Sequence, residues 1–297
     1  MKAVRIASIS VAALFILTPC ANAQQATTTV SEVPKLQPGS FPHPGTSADV
    51  LGIRVGMTVS QAEAIAEKIY GKPADVEKAR DAFAYKEVSV RSQPYVLYEE
   101  YGKDLAHGGS DSLTLYFLGP VSGNRLYSID RTIFFNGMQG FDPKKALADP
   151  SISALKVSLI KKYGPPSYEP LGIWVLGIWA FTQKSRISGI TRNAILKLWY
   201  NSPPTQKPHH GLSAYADGHY TVYSGCGTSA GHPSSFLINA KISVNDSDRT
   251  KADALTVDLW DPPACVNDLN ESIKQLKPDA IKAYKSASAK APAPPKL

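Results

Sequence analysis

A fifteen-residue pattern occurs twice in this chain. Residues 59–73 read VSQAEAIAEKIYGKP, and residues 152–166 read ISALKVSLIKKYGPP. In both copies the spacing of apolar residues predicts a helix of about three turns. The Tyr-Gly-x-Pro that follows should end it, because glycine suits a helix C-terminus and proline cannot continue the helix. Strand-like segments follow each copy. The sequence therefore predicts an α+β, β-rich chain of two tandem helix-plus-antiparallel-sheet units.

The two predicted units span residues 49–140 and 141–284. In the first, Thr58 is the expected N-cap and begins a capping box. In the second, Asp149 is the expected N-cap, because Pro150 suits the first position of a helix. Alternating apolar and polar residues predict strands at about 85–91, 94–101, 112–118 and 126–136 in the first unit and at about 173–182, 194–200, 219–224, 235–244 and 253–260 in the second.

Two further helices are expected from the sequence. Residues 75–84 predict a short one. A longer one runs from Val266 to Tyr284, but Pro278 should break or kink it, because proline removes a backbone donor and clashes with the preceding turn. The Ala/Pro/Lys tail at 285–297 has little apolar area to bury, so it is expected to be disordered.

The N-terminal segment, residues 1–23, has the organisation of a secretory signal peptide. Two cations precede a short apolar run, and Ala23 completes a small-x-small cleavage site. Lipoprotein processing at Cys20 is the alternative, although the proline before that cysteine fits it poorly. Residues 24–48 are then a disordered leader rich in polar residues and proline. We expect the processed chain to be periplasmic or secreted.

Hydropathy and net charge limit the kinds of partner that we expect this chain to bind. No later stretch reaches the roughly 18 apolar residues that a membrane-spanning helix needs, so no membrane span is predicted. The formal net charge is +7, and +5 without the predicted signal peptide, which carries two cations and no anion. The cations are scattered and no nucleic-acid-binding motif accompanies them, so no nucleic-acid partner is expected.

Two cysteines, Cys226 and Cys265, lie beyond the predicted signal peptide. An even pair in an oxidising compartment predicts a disulfide. It would close a loop of about 40 residues and stabilise the fold by roughly 3–4 kcal/mol. The competing interpretation makes Cys226 a nucleophilic thiol, with His219 or His232 as its base.

A second candidate nucleophile lies in the same glycine-rich loop, residues 215–232. Residues 227–231 read GTSAG and place Ser229 in a G-x-S-x-G pattern. A nucleophile elbow needs a helix after the serine and a histidine after the acid, and His232 is the last histidine of the chain. The six histidines also lack the spacing of a zinc site. We therefore predict neither a metal nor a cofactor.

All four tryptophans lie in the second unit, and tryptophans on strands are usually core residues. Trp174 and Trp179 are five positions apart, so a regular strand would place them on opposite faces. One of the two is therefore a candidate exposed aromatic for binding a protein or a glycan.

The segment GIRVGMT at residues 52–58, followed by a helix and Tyr-Gly-Lys-Pro at 70–73, resembles a small bacterial envelope module. It is similar to the matching segment of the outer-membrane lipoprotein component of the barrel-assembly machinery and of the tandem units of beta-lactamase inhibitory protein. The resemblance implies a helical layer on a curved antiparallel sheet, no cofactor, and function by binding protein. The second copy keeps Tyr-Gly-Pro-Pro at 163–166 but lacks Gly-Met-Thr.

Two hypotheses of function follow from these observations. The first is an exported, non-catalytic protein that binds an envelope protein or glycan through its sheet surfaces. The second is an exported hydrolase with its site in the 215–232 loop. The first is favoured because no coherent catalytic set accompanies the export signal and the tandem units.

Overall fold

A computed structural model describes residues 28–29, 48–105, 108–135, 149–168, 175–181, 186–187, 212–214, 220–222, 236–246 and 248–289. The predicted signal peptide, most of the leader, the C-terminal tail from 290 and the strand expected at 194–200 lie outside these ranges.

The fold of the described chain is α+β and rich in β-structure. Its helices are α1 (Val59–Tyr70), α2 (Ile152–Tyr163) and α3 (Pro262–Ala289), with a short 3-10 helix at Pro120–Ser122. Its strands are β1 (Thr28–Thr29), β2 (Asp75–Ala79), β3 (Ala82–Tyr85), β4 (Val88–Arg91), β5 (Tyr95–Asp104), β6 (Ser110–Phe117), β7 (Leu126–Phe134), β8 (Val175–Phe181), β9 (Arg186–Ile187), β10 (Leu212–Ala214), β11 (Tyr220–Val222), β12 (Phe236–Val244) and β13 (Ala252–Trp260).

One antiparallel sheet of eight described strands dominates the molecule. Its order is β2-β5-β6-β7-β13-β12-β8-β9. Strands from the first half of the chain occupy one side and strands from the second half occupy the other, so that β7 and β13 meet at the centre. Away from this sheet, β3 and β4 form a hairpin to which β1 adds in parallel, and β10 pairs with β11.

The helix face of the sheet packs against α1 and α2 and forms the main core. Alternate residues of its strands are fully buried there, including Leu113, Leu115, Ile129, Ile238 and Leu259. Burial of each such side chain contributes about 1.5–3 kcal/mol. Small buried alanines on α1 allow the helix to approach the strands closely.

Each of these two helices begins and ends in the same way. The N-cap side chains of Thr58 and Ser151 accept from backbone N–H groups of the first turn. Both N-caps also pair with the residue just before the last strand of their half, Thr58 with Arg125 and Ser151 with Lys251. The helices end at Gly71 and Gly164, whose φ angles of 85° and 80° favour glycine.

Ser151, and not the predicted Asp149, caps α2. Ser151 Oγ accepts from the Ala154 backbone N–H at 3.2 Å. The Asp149 carboxylate is buried and accepts a hydrogen bond from Asn245 Nδ2 at 2.9 Å. Its tertiary partner therefore takes the side chain away from the helix end.

The short helix predicted over 75–84 is wrong. The segment forms β2, which pairs with the edge of β5, and then enters β3. Phe83 on β3 is buried against Leu276 and Ala280 of α3, so tertiary packing overrides local helix propensity.

The predicted break at Pro278 is also wrong, because α3 continues through it. Leu276 and Ala280, on either side of the proline, both pack against the β3–β4 hairpin, and this packing offsets the backbone hydrogen bond that the proline removes. The helix also starts earlier than predicted: Asp261 Oδ1 accepts from the Ala264 N–H at 3.1 Å, with Pro262 in the first position.

Candidate functional site

The face of the sheet opposite α1 and α2 carries a row of mainly polar residues. From β2 to β8, the cross-strand partners are Asp75, Glu100, Thr114, Asp130, Asp258, Asn239 and Ile178. Because side chains alternate between the faces of a strand, these all project from the same side. We call this side the polar face, defined by Glu100, Thr114, Asp130, Asp258 and Asn239.

Helix α3 covers one end of the polar face. Trp260, at the end of β13, is buried there with Leu118, Tyr127 and Cys265. Further along the strands, residues such as Thr114 remain partly exposed. The covered end fixes α3 to the sheet. Within the row, Glu100, Thr114 and Asp130 are partly exposed, whereas Asp258 and Asn239 are buried.

Two aspartates stand at the centre of this row. Asp130 on β7 lies directly opposite Asp258 on β13. Asp258 Oδ2 accepts hydrogen bonds from Lys241 Nζ at 3.1 Å and from Asn239 Nδ2 at 3.3 Å. Burial, and then the charge of Asp258, raise the pKa of Asp130 to about 7. Asp130 therefore holds its proton up to about neutral pH, beside the Asp258 carboxylate.

Two oxygen atoms at this centre have no hydrogen-bond partner among the described residues. They are Asn239 Oδ1 and Asp258 Oδ1, on side chains that are buried: Asn239 is 8 % exposed and Asp258 is 3 % exposed. A protonated Asp130 supplies a donor for Asp258. The Asn239 oxygen still lacks one, and a buried unpaired acceptor costs about 1–3 kcal/mol. The centre therefore has acceptor capacity for a donor group of a ligand.

The polar face is acidic, although the chain as a whole is basic. The described strand residues on this face include the carboxylates Asp75, Glu77, Glu100, Asp104, Asp130 and Asp258, with Lys241 as the cation among them. The net charge of the full chain is +7. Such a concentration of negative charge attracts cationic ligands and speeds their association, and salt weakens the effect.

A second group of carboxylates lies on the helix face, between α1 and β5. Tyr101 donates a hydrogen bond to Glu99 Oε2 at 2.8 Å, and Glu63 and Glu67 of α1 face the same carboxyl. Burial and the hydrogen bond with Glu63 raise the pKa of Glu99 to about 8. Glu99 is thus protonated at neutral pH and binds α1 to β5 through a carboxyl–carboxylate hydrogen bond. This cluster is a structural contact.

Two of the residues singled out from the sequence lie in the described chain. Trp179 is buried in the core, where its Nε1 donates to the Gly164 carbonyl at 2.8 Å. Cys265 is buried near the start of α3. The other candidates lie outside the described residues: Cys20, Trp174, His219, Cys226, Ser229 and His232. The Cys226–Cys265 disulfide and the hydrolase site therefore stay predictions.

The centre of the polar face was missed by the sequence analysis. Asp130 and Asp258 each occupy a polar position of an alternating strand, in LYSIDRTIFF and LTVDLW. A lone aspartate in such a strand indicates only a solvent-facing position. The long-range pairing of β7 with β13 brings the two together, and no local pattern reports that pairing.

No family model, curated protein or solved structure matches this chain. In the part of the chain that the structure describes, no helix is both long and apolar enough to cross a membrane. The same residues contain no cluster of His, Cys, Asp and Glu arranged to hold a metal ion.

Proposed function

We propose that this chain is an exported, non-catalytic protein that binds a cationic protein of the cell envelope on its polar face. The observation that carries the proposal is the acidic row across the sheet, with buried unpaired acceptors at its centre. Ordinary surface charge is solvated and paired with water. An unpaired buried acceptor beside two carboxyls is instead a feature that a ligand would satisfy.

We also propose that the fold arose from two tandem helix-plus-sheet units. The last two strands of each half, β6-β7 and β12-β13, occupy mirrored positions in the sheet, with the last strand of each half at the centre. Both N-caps bridge to the residue before those last strands. The register shifts once between β6 and β7, at Tyr116/Phe117, and once between β12 and β13, at Ser243/Val244. These repeated irregularities favour duplication over coincidence.

The tandem arrangement supports binding because it widens the available surface. Two short sheets joined at β7 and β13 give one continuous face across eight strands. The resemblance of residues 52–73 to envelope modules that bind protein supports the same assignment. Export rests on the signal-like N-terminus.

A comparison of charge-reversal variants tests the proposal. Full-length processed chain is immobilised and exposed to an extract of envelope proteins from the exporting cell. The test variant Glu100→Lys/Asp104→Lys reverses charge on the polar face. The control Glu87→Lys/Asp279→Lys makes the same change in net charge at exposed positions on the β3–β4 turn and on α3. Proteins captured by the wild type and the control, but lost with the test variant, are expected. An identical captured set for all three proteins would overturn the proposal.

A further inference from the structure

We infer that the centre of the polar face, formed by Asp130, Asp258 and Asn239, receives an arginine side chain of the partner. The inference rests on the proposed function and makes it more specific. Three points carry the inference: the acceptor oxygens that lack a donor, the shape of the cation that fits them, and the fate of the Asp130 proton when the cation binds.

Two buried acceptor oxygens at the centre lack a hydrogen-bond donor among the described residues. Lys241 Nζ and Asn239 Nδ2 both donate to Oδ2 of Asp258, so that oxygen is occupied. Its Oδ1 and the Oδ1 of Asn239 are unpaired among the described residues. Asp130 stands opposite and is partly exposed, which gives access from solvent. Acceptor groups on three adjacent strands, β7, β13 and β12, thus lie side by side in the row.

A guanidinium group fits these acceptors better than other cations. It is planar and carries five N–H donors in a fixed fork, so one group can reach acceptors on several residues. A lysine ammonium is a compact, strongly hydrated charge that satisfies fewer of them at once. A divalent metal ion is not favoured, because the described residues contain no group of three or more His, Cys, Asp or Glu side chains placed to hold one.

Binding must also account for the proton on the aspartate pair. The charged and titratable groups that face Asp130 are Asp258 on β13, Lys241 on β12 and Tyr116 on β6, and Thr132 donates to it from its own strand. When a guanidinium arrives, the Asp130 carboxyl becomes a carboxylate and its proton passes to the buffer. The cation keeps its charge. Arginine binding is therefore expected to strengthen as the pH rises through about 7.

The experiment titrates the full-length processed chain with two peptides, acetyl-Gly-Arg-Gly-amide and acetyl-Gly-Lys-Gly-amide, and follows the Asn239 side-chain amide by NMR. We expect the arginine peptide to shift this signal and to bind at least about threefold more tightly than the lysine peptide. Its affinity should rise about tenfold from pH 5.5 to pH 8.

Two variants and one control complete the test. Asp130→Asn keeps the shape but should weaken arginine binding about tenfold and remove the pH dependence. Asn239→Leu should abolish the preference for arginine, and it answers the question independently if Asp130→Asn folds poorly. Because it removes the NMR signal that is followed, its two affinities are measured by calorimetry. The control Glu87→Gln removes an exposed carboxylate on the β3–β4 turn, away from the polar face, and should change affinity less than about twofold.

Equal affinities for the two peptides, or unchanged arginine binding in Asp130→Asn, would overturn the inference. Failure of the inference is distinguishable from failure of the proposed function. If the charge-reversal variant of the polar face still loses its envelope partner, the face binds protein by another chemistry. If the charge-reversal variant still captures every envelope protein that the wild type captures, the polar face is not the binding surface.

Discussion

Asp81 and Asp268 each direct a carboxylate oxygen at the same point beside Gly119. Asp268 Oδ2 accepts from the Gly119 N–H at 2.9 Å, and Asp81 Oδ2 accepts from Ser272 Oγ at 2.7 Å. A Cβ added at Gly119 would stand 2.8 Å from the Asp81 oxygen and 3.0 Å from the Asp268 oxygen. These contacts join the β3–β4 hairpin, the turn after β6 and α3 into one buried junction.

The first prediction concerns this junction and pH. Burial, and then the charge of Asp81, raise the pKa of Asp268 to about 7, and burial raises that of Asp81. The folded state therefore keeps protons that the unfolded state releases near pH 4, so stability falls as the pH rises from about 4 to about 7. Urea unfolding should give a free energy of unfolding higher at pH 5 than at pH 8, by on the order of 3 kcal/mol.

The pKa values of Asp130 and Glu99 are also raised, to about 7 and about 8, so these two groups likewise make the free energy of unfolding fall as the pH rises. Asp81→Asn should make the free energy of unfolding depend less steeply on pH, because it removes the charge that opposes ionisation of Asp268. Removing an exposed carboxylate, as in Asp104→Asn, is the matched control. A stability that is constant or increases between pH 5 and pH 8 would contradict the prediction.

The second prediction is that Gly119→Ala destabilises the fold. Its φ of −70° is available to alanine, so the cost comes only from contact with the two carboxylates. Forcing a methyl group into this space should lower the free energy of unfolding by about 1–3 kcal/mol. Gly102→Ala is the control, because an added Cβ there meets no atom within 4 Å. Equal thermal midpoints for the two variants would count against the close packing.

The third prediction concerns a buried ion pair under α1. Arg131 donates to both oxygens of Asp111, from Nε at 3.0 Å and from Nη2 at 2.8 Å, and the Tyr70 hydroxyl donates to the same carboxylate at 2.9 Å. Asp111→Ala would leave a partly buried guanidinium unpaired and should cost about 3–5 kcal/mol. Tyr70→Phe removes one hydrogen bond and should cost about 1 kcal/mol. Chemical denaturation of both variants measures the difference, and similar losses would refute this ranking.

The fourth prediction is the disulfide between Cys226 and Cys265. Intact mass of the protein purified from the exporting compartment should begin at Gln24 and show two alkylation sites only after reduction. Direct alkylation of Cys226 without reduction would instead favour the thiol-enzyme hypothesis. In that case, variants of His219 and Ser229 become the first to assay for hydrolysis of ester, peptide and glycan substrates.

Local features of the fold were predictable from the sequence. The α+β, β-rich class is confirmed, and both helices of the repeated pattern run to Tyr70 and Tyr163 and stop at the C-cap glycines Gly71 and Gly164, as the Tyr-Gly-x-Pro pattern predicts. Capping and glycine conformation act within a few residues, so a local pattern reports them. The strands β6, β7 and β13 likewise follow the alternation in the sequence.

Long-range features were not predictable in the same way. The 75–84 segment has a helical composition but becomes β2 and β3, because β5 and α3 supply partners that its own residues do not reveal. The candidate site was likewise not predictable, because it also depends on long-range strand pairing. Asp130 and Asp258 become neighbours only through the pairing of β7 with β13. The raised pKa of Asp130 depends on burial, which cannot be predicted from the sequence of one strand.

The most direct test of the central claim is site-specific photo-cross-linking in the exporting cell. A photoreactive residue replaces Thr114 on the polar face, and, as a control, Val157 on the exposed side of α2, where the side chain is 66 % exposed. We expect a discrete cross-linked envelope protein from position 114, reduced by high salt, and none from position 157. Cross-links at position 157 alone, or equal cross-links from both positions, would contradict binding through the polar face.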